Sequence, residues 1–189
     1  AEMDYALAPP VAAALSEAVA AGVTGYPSFR PGGALGEAYA GFADIDKLTS
    51  GLQPSDMIII AARPSMGKTS LAMNIAENIA MGVGPEHSPK PVAIFSLEMP
   101  RESLVRRMLC SRANIRWDAL RGGFVSPDMH NRLVRAADEL MKAPIYVDDS
   151  AGLEAVELRA RARRLKKKHD IQLIVIDYLQ MLNYSEKAS

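Results

Sequence analysis

The chain has 189 residues, 49% of them apolar and 23% charged, so it is long enough to build one ordinary globular domain with a hydrophobic core. This composition excludes a disulfide-stapled miniprotein and a fully disordered chain. The 22 basic and 22 acidic side chains cancel. The field of the whole chain therefore does not attract nucleic acid or an anionic membrane, and such a partner must be met by a local patch.

Cysteine content and apolar run length predict a cytoplasmic, soluble protein without a membrane partner. The single cysteine, Cys110, cannot form an internal disulfide, and no charged-then-apolar leader opens the chain. The longest apolar runs, such as Ile58–Ala62, are far shorter than the roughly 20 residues that a membrane-spanning helix needs. The neutral total hides an asymmetry, because residues 1–56 carry a net charge of −5 and the remainder +5.

Residues 1–40 are predicted to be a linker region that precedes the compact domain. In Ala8–Ala21, apolar residues recur every four positions after two prolines, which predicts one short helix. Gly22–Ala40 is rich in turn residues without periodicity and is typical of a linker or surface loop. We therefore expect the domain to comprise residues 41–189.

From Gly41 onward, apolar runs of strand length alternate with helical patterns. Strands are predicted at Met57–Ala62, Val92–Leu97, Ile145–Val147 and Leu173–Asp177. Helical spacing of apolar residues follows Gly67, recurs around Leu104–Leu109, begins again at the Ser126-Pro127 cap, and continues through Leu153–Lys168. Strands that are apolar throughout and separated by helices indicate an α/β fold, with a mostly parallel sheet covered by helices on both faces. Residues 82–91 are expected to form a surface loop.

A phosphate-binding loop is predicted between the first strand and the first helix of this pattern. The segment matches G-x-x-x-x-G-K-[ST] except for its leading glycine, and we predict that it and the following Ser70 contact nucleotide: Ala62, Arg63, Pro64, Ser65, Met66, Gly67, Lys68 and Thr69. Gly67 allows the backbone to approach phosphate oxygens closely. Lys68 supplies a cation for the β- and γ-phosphates, and the Thr69 hydroxyl can ligate Mg²⁺.

Acidic residues at strand ends are candidates for supporting the metal ion and activating water. Asp177 ends an apolar strand, as a carboxylate that supports Mg²⁺ beside a phosphate loop requires. Asp148 and Asp149 compete for that role, but a turn follows them and we interpret them as loop or cap residues. Glu98 ends another strand and could polarise the attacking water; from spacing alone, a favourable charge near a helix start explains it equally well.

Motif blocks spread along the chain together resemble the RecA-like motor domain of DnaB-type replicative DNA helicases. The resemblance covers about residues 41–182 and rests on segments in the family's order: 46–76, Phe95–Met99, Ala143–Asp149, Leu158–Arg164 and Ile174–Gln180. Alanine in place of the first loop glycine also occurs in this family. The resemblance decides the open choice for Glu98, which matches the family's water-activating glutamate.

The resemblance also implies further roles and partners. Lys68 and Thr69 match the phosphate and Mg²⁺ residues, and Asp177 matches the metal-supporting aspartate. It implies ATP and Mg²⁺ as ligands and a homo-hexamer that moves along single-stranded DNA and separates the strands. A primase and a helicase loader are expected partners. The alternatives are a helicase paralogue that binds nucleotide and scaffolds or loads a ring without hydrolysis, and a small-molecule kinase.

Three departures from the family pattern accompany the resemblance. Pro100 stands where the family usually has a small capping hydroxyl, and Tyr26–Ala40 is longer than the usual connection. The chain ends at Ser189, before the DNA-binding loops, the sensing glutamine and the Arg and Lys fingers that the resemblance places further on. We therefore expect a fragment, incomplete at its C-terminus, that alone shows little helicase activity.

Other conspicuous residues have ordinary structural interpretations. The basic residues of the helix Leu153–Lys168 are expected to line a solvated outer face, because no aromatic residues interleave with them for stacking on bases. Cys110 is expected to be a small core residue. The three histidines lack the spacing of metal ligands.

Overall fold

The fold was examined in a computed structural model that describes residues 38–49, 51–63, 65–83, 88–121 and 125–182. The helices and strands follow one another in the order α1 (Ala43–Thr49), α2 (Lys68–Met81), β1 (Val92–Ser96), α3 (Arg101–Arg112), α4 (Trp117–Arg121), α5 (Pro127–Lys142), β2 (Ile145–Asp148), α6 (Ala155–His169) and β3 (Leu173–Asp177). A 3₁₀ turn spans Leu179–Met181.

The three strands form a parallel sheet in the order β2-β1-β3, which confirms the predicted α/β class. The register pairs Val92 with both Ile145 and Leu173, and it places Ser96 opposite Asp177. Parallel pairing requires crossover connections, and the helices α3 to α5 and the helix α6 supply them. All three strands therefore present their carboxyl ends at one edge of the sheet.

Helices cover both faces of the central strand, so every residue of β1 is buried. Val92 and Ile94 face a cluster that includes residues of α2 and α3, whereas Ala93 and Phe95 face a cluster that includes Leu158 of α6. Burial on both faces explains why this strand is apolar almost throughout instead of alternating.

The helix that follows Ser126 begins as predicted. The Ser126 side chain accepts a hydrogen bond from the backbone N–H of Met129 at 3.2 Å, and Pro127 occupies the first helical position. A hydroxyl at this position satisfies one of the backbone donors that a helix start leaves without an intrahelical partner.

The predicted strand Met57–Ala62 is wrong. These residues pair with no strand among the described ranges, and Met57, Ile58 and Ile59 are 48%, 53% and 62% exposed. Ile60 does pack against the core, where it touches the cluster shared by α2 and β1. An apolar run becomes a strand only where a neighbouring strand satisfies its backbone, and none of the described strands pairs with this run.

The residues just before Gly41 contact the residues that follow it. Ala38 forms an antiparallel bridge with Leu52, and both Ala38 and Ala40 are buried. The Asp46 carboxylate accepts hydrogen bonds from the N–H groups of Ala40 and Gly41 at 2.6 and 3.0 Å. These contacts tie the residues just before Gly41 to the sheet domain. The predicted helix Ala8–Ala21 and most of the predicted linker lie outside the described residues, as do residues 84–87 of the predicted loop 82–91.

No helix within the described ranges is both long enough and apolar enough to cross a bilayer.

Candidate nucleotide site

The described residues of the phosphate loop, 62–63 and 65–69, form a turn that leads directly into α2. Ser65 and Gly67 both have positive φ, at 66° and 87°, and the N–H of Met66 donates to the carbonyl of Arg63 at 3.3 Å. Gly67 is the residue that precedes α2, and no side chain caps the helix there. The first N–H groups of α2 are therefore available to an anion, in the type of backbone turn that forms phosphate-binding concavities.

Two consecutive side chains of α2 converge on the carboxylate that ends β3. The Lys68 ammonium lies 3.2 Å from Oδ1 of Asp177, and the Thr69 hydroxyl donates a hydrogen bond to Oδ2 at 2.7 Å. Asp177 is only 4% exposed, whereas Lys68 keeps about a third of its side chain in solvent. The structure thus brings together three of the predicted site residues from two segments 109 positions apart.

The space beside Gly67 is open. A Cβ built on this glycine would meet no atom of the other described residues within 4 Å, its two chain neighbours apart. The positive φ therefore explains why residue 67 is a glycine. The open space beside it is bordered by Lys68 and by the first N–H groups of α2, which receive no side-chain cap from Gly67. A polyphosphate fits this donor set, because Lys68 offers positive charge and the first N–H groups of α2 offer hydrogen-bond donors.

Glu98 lies in the turn that follows β1 and is exposed. Its strand ends at Ser96, which is in register with Asp177, and the N–H of Leu97 donates to the carbonyl of Asp177 at 2.8 Å. Glu98 therefore directly follows Leu97, whose backbone is hydrogen-bonded to that of Asp177. No hydrogen bond or ion pair to another described residue holds its carboxylate.

The remaining predicted nucleotide contacts are arranged around the same turn. Ala62, Arg63, Ser65, Met66 and Ser70 are exposed and accessible to a ligand, whereas Pro64 lies outside the described residues.

Tyr178 is a site residue to which the sequence analysis assigned no role. Its ring centroid lies 4.4 Å from the Lys68 ammonium, on the residue that directly follows Asp177. A cation over an aromatic face is attracted by the ring's quadrupole. An aromatic residue immediately after a strand-ending carboxylate was the available sequence signal.

The competing carboxylates Asp148 and Asp149 have structural partners. Asp148 is the last residue of β2, one residue beyond the predicted strand end, and accepts hydrogen bonds from Nη1 of Arg161 at 3.0 and 2.8 Å. Burial acts to raise the pKa of Asp148, but hydrogen bonds from Arg161 and Ser150 outweigh it and hold that pKa below its usual value. The Asp149 carboxylate accepts from the N–H of Arg101 at 3.0 Å, which confirms a capping role.

Two further interpretations can be compared with the structure. Cys110 is buried, and desolvation raises the pKa of its thiol, as expected for a core cysteine. Arg161 does not belong to a purely solvated face, because its guanidinium turns back toward β2 to meet Asp148. Within the described ranges, no group of three or more His, Cys, Asp or Glu side chains could enclose a metal ion.

Comparisons with known proteins agree with the geometry. Residues 38–189 match the model of the DnaB-like helicase C-terminal domain. The chain is 45% identical over 148 residues to the replicative DNA helicase DnaB of Geobacillus stearothermophilus, covering 78% of this chain and 32% of that protein. It is 46% identical over 144 residues to replicative DNA helicase DnaB of a Nostoc strain, covering 75% and 16%. The chain thus spans a third or less of these relatives.

Solved structures show the same similarity. A solved ATPase domain matches with a TM-score of 0.70 at 30% identity, over 82% of this chain and 56% of that one. A DnaB-like replicative helicase, solved in a study of its interactions with primase, matches with a TM-score of 0.72 at 30% identity, over 85% and 39%. The resemblance carried by the sequence motifs is therefore confirmed, and the chain belongs to the family of DnaB-like helicase C-terminal domains.

Proposed function

We propose that this chain forms part of the motor domain of a replicative DNA helicase, which hydrolyses Mg-ATP to move along single-stranded DNA and unwind the duplex at the replication fork. The observation that carries the proposal is the convergence of Lys68 and Thr69 on Asp177, beside an open phosphate-binding turn. Membership of the DnaB-like family supports the replicative role.

The proposed chemistry assigns one task to each side chain. Lys68 is paired with Asp177, and a triphosphate offers its ammonium a partner of higher charge. Glu98 orients a water for in-line attack on the γ-phosphorus and accepts its proton, while the bond to the β–γ bridging oxygen breaks and ADP leaves. Lys68 and the N–H groups of the phosphate loop offset the phosphate charge.

The residues present fit Mg²⁺ that arrives with the nucleotide. The Thr69 hydroxyl and the Asp177 carboxylate are hard oxygen donors that already lie 2.7 Å apart. Mg²⁺ usually keeps several waters and is held by one or two carboxylates together with substrate phosphates, so a full protein cage is not required. When bound, the ion would neutralise charge that develops on the phosphate oxygens.

The domain division and the assembly are further parts of the proposal. We propose that residues 1–40 link to the motor domain at 41–189, and that the protein works as a homo-hexamer on single-stranded DNA in the cytoplasm. A primase and a helicase loader are the proposed protein partners. The solved DnaB-like helicase was studied for its interactions with primase, which supports the first of them.

DNA-stimulated ATP hydrolysis by the protein that carries this domain tests the proposal. Lys68→Ala and Glu98→Gln should each abolish turnover, the first by weakening nucleotide binding and the second with binding retained. Lys142→Ala and Glu102→Gln are matched controls, because both side chains are exposed on helices, and they should retain full turnover. Full turnover by Glu98→Gln would overturn the catalytic assignment. Nucleotide binding without hydrolysis by the unmodified protein would favour the ring scaffold instead.

A further inference from the structure

The Glu98 carboxylate has no side-chain partner in the described part of the chain, so its position depends on the backbone of the turn that carries it. That turn connects the end of β1 with the start of α3. A base that must hold one water in line with a scissile bond tolerates little displacement, because misplacement by about 1 Å can cost about 100-fold in rate. Whatever fixes the two ends of the turn therefore matters for the proposed reaction.

The first end of the turn is fixed by Ser96. Its hydroxyl donates a hydrogen bond to the carbonyl of Met99 at 2.6 Å and accepts one from the Met99 N–H at 3.3 Å. Ser96 itself is buried and in register with Asp177. This end is thereby attached to the centre of the sheet.

The second end depends on a residue from a distant segment. Pro100 precedes α3 and provides no side-chain cap, so the first N–H of the helix, that of Arg101, is left for another acceptor. The Asp149 carboxylate takes it, at 3.0 Å, from 48 residues further along the chain. A negative charge at a helix N-terminus is also favoured by the helix dipole.

Asp149 is in turn held in place by its neighbours. The preceding residue, Asp148, accepts two hydrogen bonds from Arg161 of α6, and the same guanidinium donates to the Ser150 hydroxyl at 2.6 Å. The Ser150 N–H donates back to Asp148 at 3.1 Å. Arg161 therefore fixes the residues on both sides of Asp149 and joins α6, through Asp149, to the turn of Glu98.

We propose that Asp149 is a positioning residue for Glu98, acting through the N–H of Arg101. This inference rests on the proposed function, in which Glu98 activates water. It assigns to Asp149 an effect on the chemical step and none on nucleotide binding, because Lys68, Thr69 and Asp177 are held by their own contacts.

Steady-state ATP hydrolysis by the protein that carries this domain tests the inference. Asp149→Ala should lower kcat about tenfold and leave the KM for Mg-ATP within about twofold, since only a transition-state interaction is lost. Asp149→Asn keeps an acceptor of the same shape and should restore most of kcat. Asp138→Ala, which removes an exposed carboxylate of α5, is the matched control and should be neutral. An unchanged kcat in Asp149→Ala would overturn the inference.

A double-mutant cycle separates this inference from the proposed function. In a Glu98→Gln background, followed with γ-labelled nucleotide, Asp149→Ala should cause no further loss, because the two residues act as one unit. A further tenfold loss would show that Asp149 acts independently of Glu98 and would overturn the inference. If Glu98→Gln alone retains full turnover, the catalytic role proposed for Glu98 fails whatever Asp149 does.

A second variant separates positioning from simple helix capping. Pro100 has extended backbone angles, φ −64° and ψ 146°, that suit a capping serine. In Asp149→Ala/Pro100→Ser, the new hydroxyl should recover thermal stability but not kcat, because it does not join the turn to α6. Recovery of both thermal stability and kcat would show that Asp149 acts only as a helix cap, and would overturn the inference.

Discussion

Two carboxylates end the two outer strands of the sheet, one on each side of β1, and they are held in opposite ways. Asp148 ends β2 opposite Phe95, and Asp177 ends β3 opposite Ser96. Asp148 is satisfied by Arg161, only 13 residues away on the helix that follows its own strand. Asp177 is satisfied by Lys68 and Thr69, which come from a separate loop and helix.

The nature of each partner distinguishes a structural carboxylate from one available for chemistry. Arg161 binds Asp148 with two hydrogen bonds and also binds Glu157 and Ser150, so no ligand is needed to complete the group. Lys68 is a point charge on a flexible stem, and in the proposed mechanism it exchanges Asp177 for a phosphate. The last residue of an outer strand is therefore held in a fixed ion pair on one side of β1 and, as proposed, in an exchangeable one on the other.

The largest expected effect comes from neutralising each carboxylate in turn. Asp177→Asn should lower kcat for ATP hydrolysis about 1,000-fold, equivalent to about 4 kcal/mol of transition-state stabilisation, because the metal-supporting charge is lost. Asp148→Asn should lower it less than about tenfold, through the Asp149 contact alone. Measurement of kcat at saturating Mg-ATP for both variants checks this. Equal losses would contradict the division between structural and chemical carboxylates.

The next effect concerns β1, the strand that lies between the two strands that carry these carboxylates. Ile94 is fully buried in this strand, so Ile94→Ala should lower the free energy of unfolding by about 3 kcal/mol. Ile59→Ala removes the same atoms from the exposed run before the phosphate loop and should change it by less than about 0.5 kcal/mol. Urea unfolding of the 189-residue chain gives both values. A comparable loss in Ile59→Ala would show that the run is buried in solution.

Much of this fold could be predicted from local pattern, because the outer and central strands are short apolar runs between helices. Val92–Ser96 and Leu173–Asp177 have the length, apolar character and flanking helices that a parallel sheet demands. Met57–Ala62 has the same local character but no partner strand among the described residues. Hydrophobicity along the chain measures a preference for burial, whereas membership of a sheet depends on neighbours that are distant in sequence.

The sequence predicts which residues form much of the site, but not how they contact one another. Lys68, Thr69 and Asp177 were identified from a motif and a strand end, since their chemistry dictates residue type and local context. The sequence does not predict that Tyr178 contacts Lys68 or that Asp149 contacts Arg101. Both contacts depend on how separate segments meet at the edge of the sheet. Arg161 was assigned to solvent for the same reason, although it reaches back to Asp148.

The smallest expected effect tests the ion pair between Asp148 and Arg161. Arg161→Met keeps the apolar stem but removes the charge, and should lower the free energy of unfolding at pH 7 by about 1 kcal/mol, because the Asp148–Arg161 pair is only partly shielded from solvent. Arg163→Met, which removes an exposed charge from the same helix, is the control and should be within about 0.5 kcal/mol of the unmodified chain.

The pH dependence of that difference gives the sharper test. The pKa of Asp148 is lowered in the folded chain, so its pairing with Arg161 stabilises the fold above the ordinary value of 3.8. The contribution is lost as the pH falls below that value and Asp148 takes up a proton in the folded state. The stability difference between Arg161→Met and the unmodified chain should therefore be constant from about pH 7 to 5 and shrink below about pH 4. A difference that persists at about pH 2.5 would mean that Arg161 stabilises the fold through contacts that do not need the charge on Asp148, such as its hydrogen bond to the Ser150 hydroxyl.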